Sequence, residues 1–185
     1  MAMSRPNLEL VETTSDRITI LADFPDLKPA PLFDYWTNPD LLTKLWPPAV
    51  ELEPRLCGTN HFSWPKQDWH LRGRFIMFDR GKTLAFTWKW DHEPIDETRV
   101  TVLFQSIPDM GTRLTLHHEI YSKNSEAKKI RDEHVEGWTF FCGSSKNKPS
   151  SGFQPPLHAQ REHHGYHHTR SNELLLTRLS EGRER

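Results

Sequence analysis

Residues 82–91 read KTLAFTWKWD, and their pattern decides the fold. Leu84, Phe86, Trp88 and Trp90 alternate strictly with smaller or polar residues. This period of two is typical of a β-strand with one buried face. Two indoles on that face predict a concave aromatic surface, because tryptophan is too large to fit easily into an ordinary small core. The stretch therefore predicts a sheet that encloses a cavity.

The same alternation recurs on both sides of this strand. It predicts a strand or hairpin over residues 8–22 and further strands over residues 50–56, 59–64, 69–78, 98–107 and 113–121. Short turns join several of these segments, which is typical of an antiparallel meander. Two short helices framed by prolines are predicted over residues 31–37 and 39–46, with Asn38 as the cap of the second.

A longer amphipathic helix is predicted over residues 125–141, where apolar side chains recur at spacings of three and four. This helix has to cover the apolar face of the sheet, so the expected fold class is α+β. Strand parity places Met77 inward with Phe75, and His118 inward with Ile120. The same parity places Tyr121 outward.

Length and charge limit the kinds of partner. The chain has 185 residues and a formal net charge of -1, which fits one domain with an appended segment. Without a block of like charges, neither nucleic acid nor an anionic membrane is expected as a partner. No apolar leader or run of roughly eighteen apolar residues is seen. With only Cys57 and Cys142, far apart, the sequence predicts a cytoplasmic protein.

Regular periodicity stops near Phe141. The sequence therefore predicts one domain over residues 1–141 and a disordered tail over residues 142–185. The first part of this tail holds too few apolar residues to offset its ordering entropy. Ser171 or Asn172 could cap a short terminal helix within it.

Histidines are frequent in the predicted tail. His163 pairs with His167, and His164 with His168, at a spacing that can chelate zinc or nickel on a helix. Gly165 and the lack of a supporting core weigh against a preformed site. Neither a metal nor a cofactor is therefore expected.

Nine side chains are the candidates for the cavity wall. They are Trp64, Met77, Phe86, Trp88, Trp90, Phe104, His118, His134 and Trp138. The tryptophans could stack on a flat ligand or could simply pack the core. His118 and His134 could bond a ligand or transfer a proton near neutral pH. A buried histidine bonded to backbone or water is the commoner case, and His117 faces away from His118.

Charged residues offer weaker candidates. Asp91, Glu93, Asp96 and Glu97 cluster at a predicted turn and are expected to form a solvated loop. Arg72 and Arg74 are expected on the outer face of the sheet. The motifs GxSxG, GxGxxG, HExxH and the P-loop are absent, which removes the usual hydrolase, nucleotide-binding and zinc-protease interpretations. The sequence predicts no specific catalytic residue.

Several segments in this order resemble a known family. They are LFDYWTNPDLLTKLWPP from residue 32, FTWKW from residue 86, TRVTVLF from residue 98, GTRLTLHHE from residue 111 and HVEGW from residue 134. Together they resemble the SRPBCC (START-like) superfamily and, within it, AHSA-like domains, named for activators of the ninety-kilodalton heat-shock protein ATPase. The resemblance covers residues 8–141. It implies a helix-grip fold of the START and Bet v type, in which a curved antiparallel sheet surrounds a long C-terminal helix and an internal cavity.

Three functions are expected in descending order. The first is binding of a small hydrophobic or amphipathic ligand between the sheet and the C-terminal helix, as many members of the superfamily do. The second is a chaperone-type partner module, which only the family name implies. The third is a cyclase, dehydratase or hydrolase that uses His118 or His134 as a general acid-base. A binding protein is thus favoured over an enzyme.

Overall fold

The computed structural model of the chain describes residues 7–45 and 47–143. Within them the chain forms eight strands and three helices, in the order β1 (Asn7–Thr13), β2 (Arg17–Phe24), α1 (Pro29–Thr37), α2 (Pro39–Leu45), β3 (Ala49–Leu52), β4 (Thr59–Trp64), β5 (Trp69–Asp79), β6 (Thr83–Trp90), β7 (Thr98–Ile107), β8 (Gly111–Glu119) and α3 (Ser125–Gly143). The predicted α+β class is confirmed.

The strands form one antiparallel sheet in the order β1-β2-β8-β7-β6-β5-β4-β3. From β3 to β8 each strand pairs with the next one in the chain, which is the predicted meander. The β1–β2 hairpin is added beside β8, where Ile18 lies opposite His118. The first and last strands of the chain are therefore joined within one sheet.

One face of the sheet is buried because its strands alternate as the sequence predicts. The central strands contribute side chains that are 0–6% exposed: Ile18, Ile20, Leu84, Phe86, Trp88, Val100, Val102, Leu114 and Leu116. Burial of each large apolar side chain contributes about 1.5 to 3 kcal/mol. This face forms the core and carries the candidate site.

Side-chain caps fix two of the helices. The backbone N–H of Asp40 donates to Asn38 Oδ1 over 2.9 Å at the start of α2, as predicted. The N–H of Ala127 donates in the same way to Asn124 Oδ1 over 2.7 Å at the start of α3. The inward stripe of α3 includes Ala127, Ile130, His134 and Trp138, which are all buried.

The predicted inward position of Met77 is wrong. A β-bulge shifts the register between β5 and β6 at residues 75–77, and Met77 is 50% exposed. Such a bulge adds one residue to a strand and moves the following side chains to the opposite face. Phe78 takes the inward place and packs edge-to-face on Phe33, with ring centroids 5.2 Å apart.

The predicted outward position of Tyr121 is also wrong. Strand β8 ends at Glu119, and Ile120 adopts a φ of 73°, which is a strained left-handed conformation for a β-branched residue. Ile120 is 58% exposed, whereas Tyr121 is 4% exposed. The reversed backbone at Ile120 therefore carries the tyrosine into the interior.

The predicted domain boundary lies at the end of α3. The helix continues to Gly143, and Cys142 is buried within it, where burial raises the pKa of its thiol to about 12. The predicted tail, with its histidine pairs and terminal helix, lies outside the described residues from residue 144 onward. Across the described part of the chain, every helix is too short or too polar to cross a membrane.

Candidate functional site

Aromatic side chains from the sheet and from all three helices meet around one cavity. We call it the aromatic cavity, and it is lined by Trp36, Leu42, Asn60, Phe62, Phe75, Phe86, Trp88, Trp138 and Phe141. Strands β4, β5 and β6 supply one wall, and the helices supply the other. The rings of Trp88 and Trp138 approach across it with centroids 4.8 Å apart. Trp36 stacks on Trp138 at 6.0 Å.

The aromatic cavity is almost filled by its own walls. Its volume is about 10 Å³, which is room for about one water molecule. A larger molecule can therefore enter only when the walls separate. Phe141, on the last turn of α3, packs edge-to-face on Trp36 with ring centroids 4.9 Å apart.

The structure brings three of the nine predicted cavity residues to the cavity, namely Phe86, Trp88 and Trp138. Trp64 and Trp90 are buried against each other, with centroids 5.1 Å apart. Those two tryptophans thus pack the core beside the cavity.

Three further predicted residues are buried away from the cavity. Phe104 packs on Phe33 of α1 with centroids 5.4 Å apart. His118 and His134 stack on each other at 4.8 Å. Met77 lies on the exterior, for the reason given above.

The two histidines belong to a buried set of hydrogen-bonded side chains. We call it the histidine network, and its members are Thr98, His118, Tyr121, Trp138, His134 and Glu93. His118 Nδ1 lies 2.8 Å from the Tyr121 hydroxyl and 3.0 Å from Trp138 Nε1. The Tyr121 hydroxyl lies 2.7 Å from His134 Nδ1. His134 Nε2 lies 2.9 Å from Glu93 Oε1.

The tautomer of His118 follows from its neighbours. The indole of Trp138 can only donate, so His118 Nδ1 is an acceptor. Nε2 then carries the proton and donates to Thr98 Oγ1 over 2.7 Å. Thr98 spends its own proton on the carbonyl of Trp88, 3.2 Å away. His118 is therefore neutral, and each of its ring nitrogens is bonded.

The remaining protons follow from the same reasoning. Because His118 Nδ1 is an acceptor, Tyr121 donates to it and accepts from His134 Nδ1. The second nitrogen of His134 needs a further proton to bond Glu93, unless the carboxyl carries it. In either case His134 and Glu93 hold two protons together and form a pair without net charge. Net neutrality suits this site, because their side chains are only 8% and 11% exposed.

Burial controls the electrostatics of the network. It lowers the pKa of His118 well below its usual value, and the charge of His134 adds to this effect. It also raises the pKa of the Tyr121 hydroxyl, with a further contribution from the charge of Glu93. Arg131 acts in the opposite direction on Tyr121. Both His118 and Tyr121 are thereby kept in their uncharged forms at neutral pH.

The network and one arginine anchor α3 at three successive levels. Arg131 donates to the carbonyl of Ser15 in the β1–β2 turn over 2.6 Å. His134 binds Glu93 in the β6–β7 loop, and Trp138 binds His118 on β8. These bonds join the helix to distant parts of the sheet.

The prediction of a solvated loop at residues 91–97 is wrong for Glu93. Lys89 Nζ donates to the carbonyl of Glu93 over 2.7 Å and also to the carbonyl of Ile95. These bonds fold the loop back so that the Glu93 side chain reaches α3. The sequence gives no signal for this, because loop residues lack a regular period.

Other missed residues carry a readable signal. Asn60 shares the strand parity of Phe62 and Trp64, so a polar side chain on the apolar face of β4 was visible in the sequence. Trp36 and Leu42 occupy the predicted short helices, but a pattern within a helix does not show which strand it covers.

Metal-binding potential is limited in the described part of the chain. His61 Nε2 lies 2.9 Å from His70 Nδ1 on the outer face of the sheet. No group of three or more histidine, cysteine or acidic side chains suited to a metal occurs among residues 7–45 and 47–143. Arg72 and Arg74 are exposed there, as predicted.

Comparisons with known proteins agree on the fold. The family described as Activator of Hsp90 ATPase homolog 1-like protein matches residues 26–142. No curated protein matches the chain. These findings bear out the resemblance drawn from the sequence segments.

Three solved structures illustrate the likeness. Protein MLL2253 from Mesorhizobium loti has a TM-score of 0.59 and 20% identity, covering 68% of this chain and 90% of its own. PFC0360w, an HSP90 activator from Plasmodium falciparum, has a TM-score of 0.57 and 22% identity, with the same coverages. Protein Ms6760 from Mycobacterium smegmatis has a TM-score of 0.57 and 16% identity, covering 76% and 93%. At these identities the likeness concerns the fold.

Proposed function

The chain belongs to the family of Activator of Hsp90 ATPase homolog 1-like proteins, and from this premise we propose that it binds one small, flat, hydrophobic or amphipathic molecule in the aromatic cavity. The observation that carries the proposal is the wall itself, where seven aromatic side chains and one amide converge. Ligand pockets are mostly apolar with a few placed polar groups. Aromatic faces also suit a flat ligand. A cytoplasmic location is part of the proposal, and it accords with the free, exposed thiol of Cys57.

The ligand enters by separation of the helical wall from the sheet. Arg131 and His134 hold the first half of α3 by hydrogen bonds, whereas Phe141 on its last turn makes an aromatic contact with Trp36 of α1. Aromatic contacts of this kind contribute about 0.5 to 1.5 kcal/mol beyond their buried area. The last turn of α3 and Trp36 are therefore the wall expected to move.

The first experiment is native mass spectrometry of the freshly purified full chain. A stoichiometric adduct, released on denaturation and identified by its mass, would support the proposal and name the ligand class. Protein that is free of adduct is then titrated with N-phenyl-1-naphthylamine, an uncharged probe that fluoresces in apolar surroundings. We expect one-to-one binding with energy transfer from the tryptophans.

Two variants locate the bound probe. Phe62→Leu removes a ring from the cavity wall, so the enlarged cavity should bind the probe several-fold more tightly. Leu103→Ala changes an outward-facing side chain that is 38% exposed, and it should leave the affinity unchanged. Equal affinities in all three proteins, or loss of binding in Leu103→Ala, would place the probe on the surface and contradict the proposal.

The family name favours a second candidate, activation of the ATPase of the ninety-kilodalton heat-shock protein. The Plasmodium falciparum protein of similar fold is itself described as an HSP90 activator. The test is the steady-state ATPase rate of the purified chaperone with increasing amounts of the full chain. A rise in rate that persists in Phe62→Leu would favour this partner function, because it would be independent of the cavity.

A further inference from the structure

Asn60 is the polar exception in the wall of the aromatic cavity. It lies on β4, where the inward-facing neighbours are Phe62 and Trp64. Asn60 is 3% exposed, and its Nδ2 has no hydrogen-bond acceptor. A buried donor without an acceptor is rare in folded proteins because it loses its bonds to water without replacement. An amide retained at this position therefore points to an acceptor that the polypeptide itself does not supply.

The neighbouring strand explains why the amide stays unpaired. Gly73 on β5 lies directly opposite Asn60. A Cβ at Gly73 would approach Asn60 Oδ1 to 2.9 Å and the carbonyl oxygen of Thr87 to 1.9 Å, so only glycine fits. Gly73 has no side chain to offer as a partner, and the oxygen end of the amide lies against it. The nitrogen end is left for an acceptor on the other side.

We infer that Asn60 donates a hydrogen bond to an oxygen atom of the ligand, and that this ligand is an uncharged aromatic ring system with a ketone, ester or ether oxygen at one edge. The inference rests on the proposed function and names the ligand class for the same cavity. The nine lining residues carry no charge, so an ionised ligand would be buried without a partner.

The size of the cavity agrees with this assignment. Its 10 Å³ accommodate about one water molecule beside Asn60. A ligand oxygen would take over the same hydrogen bond, while its rings would separate Trp88 from Trp138. Replacing a water costs no affinity when the ligand reproduces its bond, whereas a ligand without an acceptor leaves the amide unpaired.

A matched pair of probes tests the inference. Indane and 1-indanone share one bicyclic frame and differ only in the ketone. Their affinities for the full chain are measured by quenching of tryptophan fluorescence. We expect 1-indanone to bind about three- to tenfold more tightly than indane, which is the range of one net hydrogen bond. In Asn60→Leu this preference should disappear, whereas Ser63→Ala, on the outer face of the same strand, should preserve it.

A direct readout does not depend on any substitution. In amide NMR spectra of the wild-type chain, the side-chain NH₂ signals of Asn60 should shift with 1-indanone and move much less with indane. Equal affinities of the two probes with unshifted Asn60 signals would overturn the inference while leaving the proposed function intact. Failure of both probes to bind would overturn the proposed function and this inference with it.

Discussion

The histidine network and the aromatic cavity lie side by side under α3, yet they treat polar atoms in opposite ways. In the network, every contact between His118 and Glu93 can be assigned a donor and an acceptor. In the cavity, the amide nitrogen of Asn60 has no acceptor. Because a paired buried group stabilises and an unpaired one destabilises, the network holds the fold together. The cavity keeps an unfilled polar contact inside the same core.

Trp138 belongs to both regions, so its truncation should have the largest effect. Trp138→Ala removes a ring that is 3% exposed and the donor to His118. We expect the free energy of unfolding to fall by about 3 to 5 kcal/mol, as measured by urea denaturation. Trp138→Phe is the matched control, since it keeps a ring in the cavity and loses the N–H. A loss below about 1 kcal/mol in Trp138→Ala, combined with lost probe binding, would instead make Trp138 a replaceable pocket wall.

The second prediction breaks the network alone. His118→Leu removes the acceptor of two buried donors, on Tyr121 and Trp138. Each donor left unpaired costs about 1 to 3 kcal/mol, so we expect a loss of about 2 to 4 kcal/mol in urea denaturation. His117→Leu, on the opposite face of β8, is the control and should cost much less. Similar losses for the two variants would show that the network contributes no special stability.

The third prediction concerns pH. The pKa of His118 is lowered in the folded protein by burial first and then by the charge of His134. The unfolded chain therefore takes up its proton nearer the ordinary value of 6.5. The stability that His118 contributes is complete above this pH and is lost as the pH falls below it, by about 1.4 kcal/mol per pH unit for one proton.

Unfolding by urea at pH 7.5, 6.5 and 5.5 measures this dependence. His118→Gln cannot take up the proton, so its curve should be flatter than that of the wild type by about one proton. The other groups around His118, including His134 on α3 and Tyr121 after β8, remain present in both proteins. Parallel curves for wild type and variant would contradict the expectation.

The smallest predicted effect has the opposite sign and sharpens the comparison most. Asn60→Leu replaces the unpaired amide by an apolar group of similar shape. In the absence of ligand we expect stability to stay constant or to rise by about 1 kcal/mol, as measured by thermal and urea unfolding. A loss above about 2 kcal/mol would mean that Asn60 is fully bonded within the fold. The two regions would then follow the same rule.

Much of the fold was predictable because alternation reports burial directly. Strand β6 is an example, since Leu84, Phe86, Trp88 and Trp90 all face the interior as their period requires. Parity carries a prediction only as far as the strand stays regular. It is interrupted at Met77 by a bulge and at Tyr121 by the left-handed Ile120. Both interruptions depend on tertiary contacts, which a local pattern does not contain.

The candidate site was predicted less completely for the same physical reason. The sequence indicated the two interior histidines but not what bonds them. Glu93 approaches His134 from 41 residues away, through a loop held by Lys89. Interactions across such separations depend on the assembled fold. Asn60, in contrast, was accessible to reasoning from parity alone.

The pairing of β2 with β8 also has a consequence for biosynthesis. Ile18 lies opposite His118 in the sheet, so the ribosome releases the first partner a hundred residues before the second. At about 5 to 20 residues per second, this interval lasts about 5 to 20 seconds. During that time, the N-terminal hairpin emerges with its apolar face and one open edge before its partner strand exists, which is the exposure that nascent-chain chaperones relieve. Cotranslational folding of this sheet must therefore close last at its beginning.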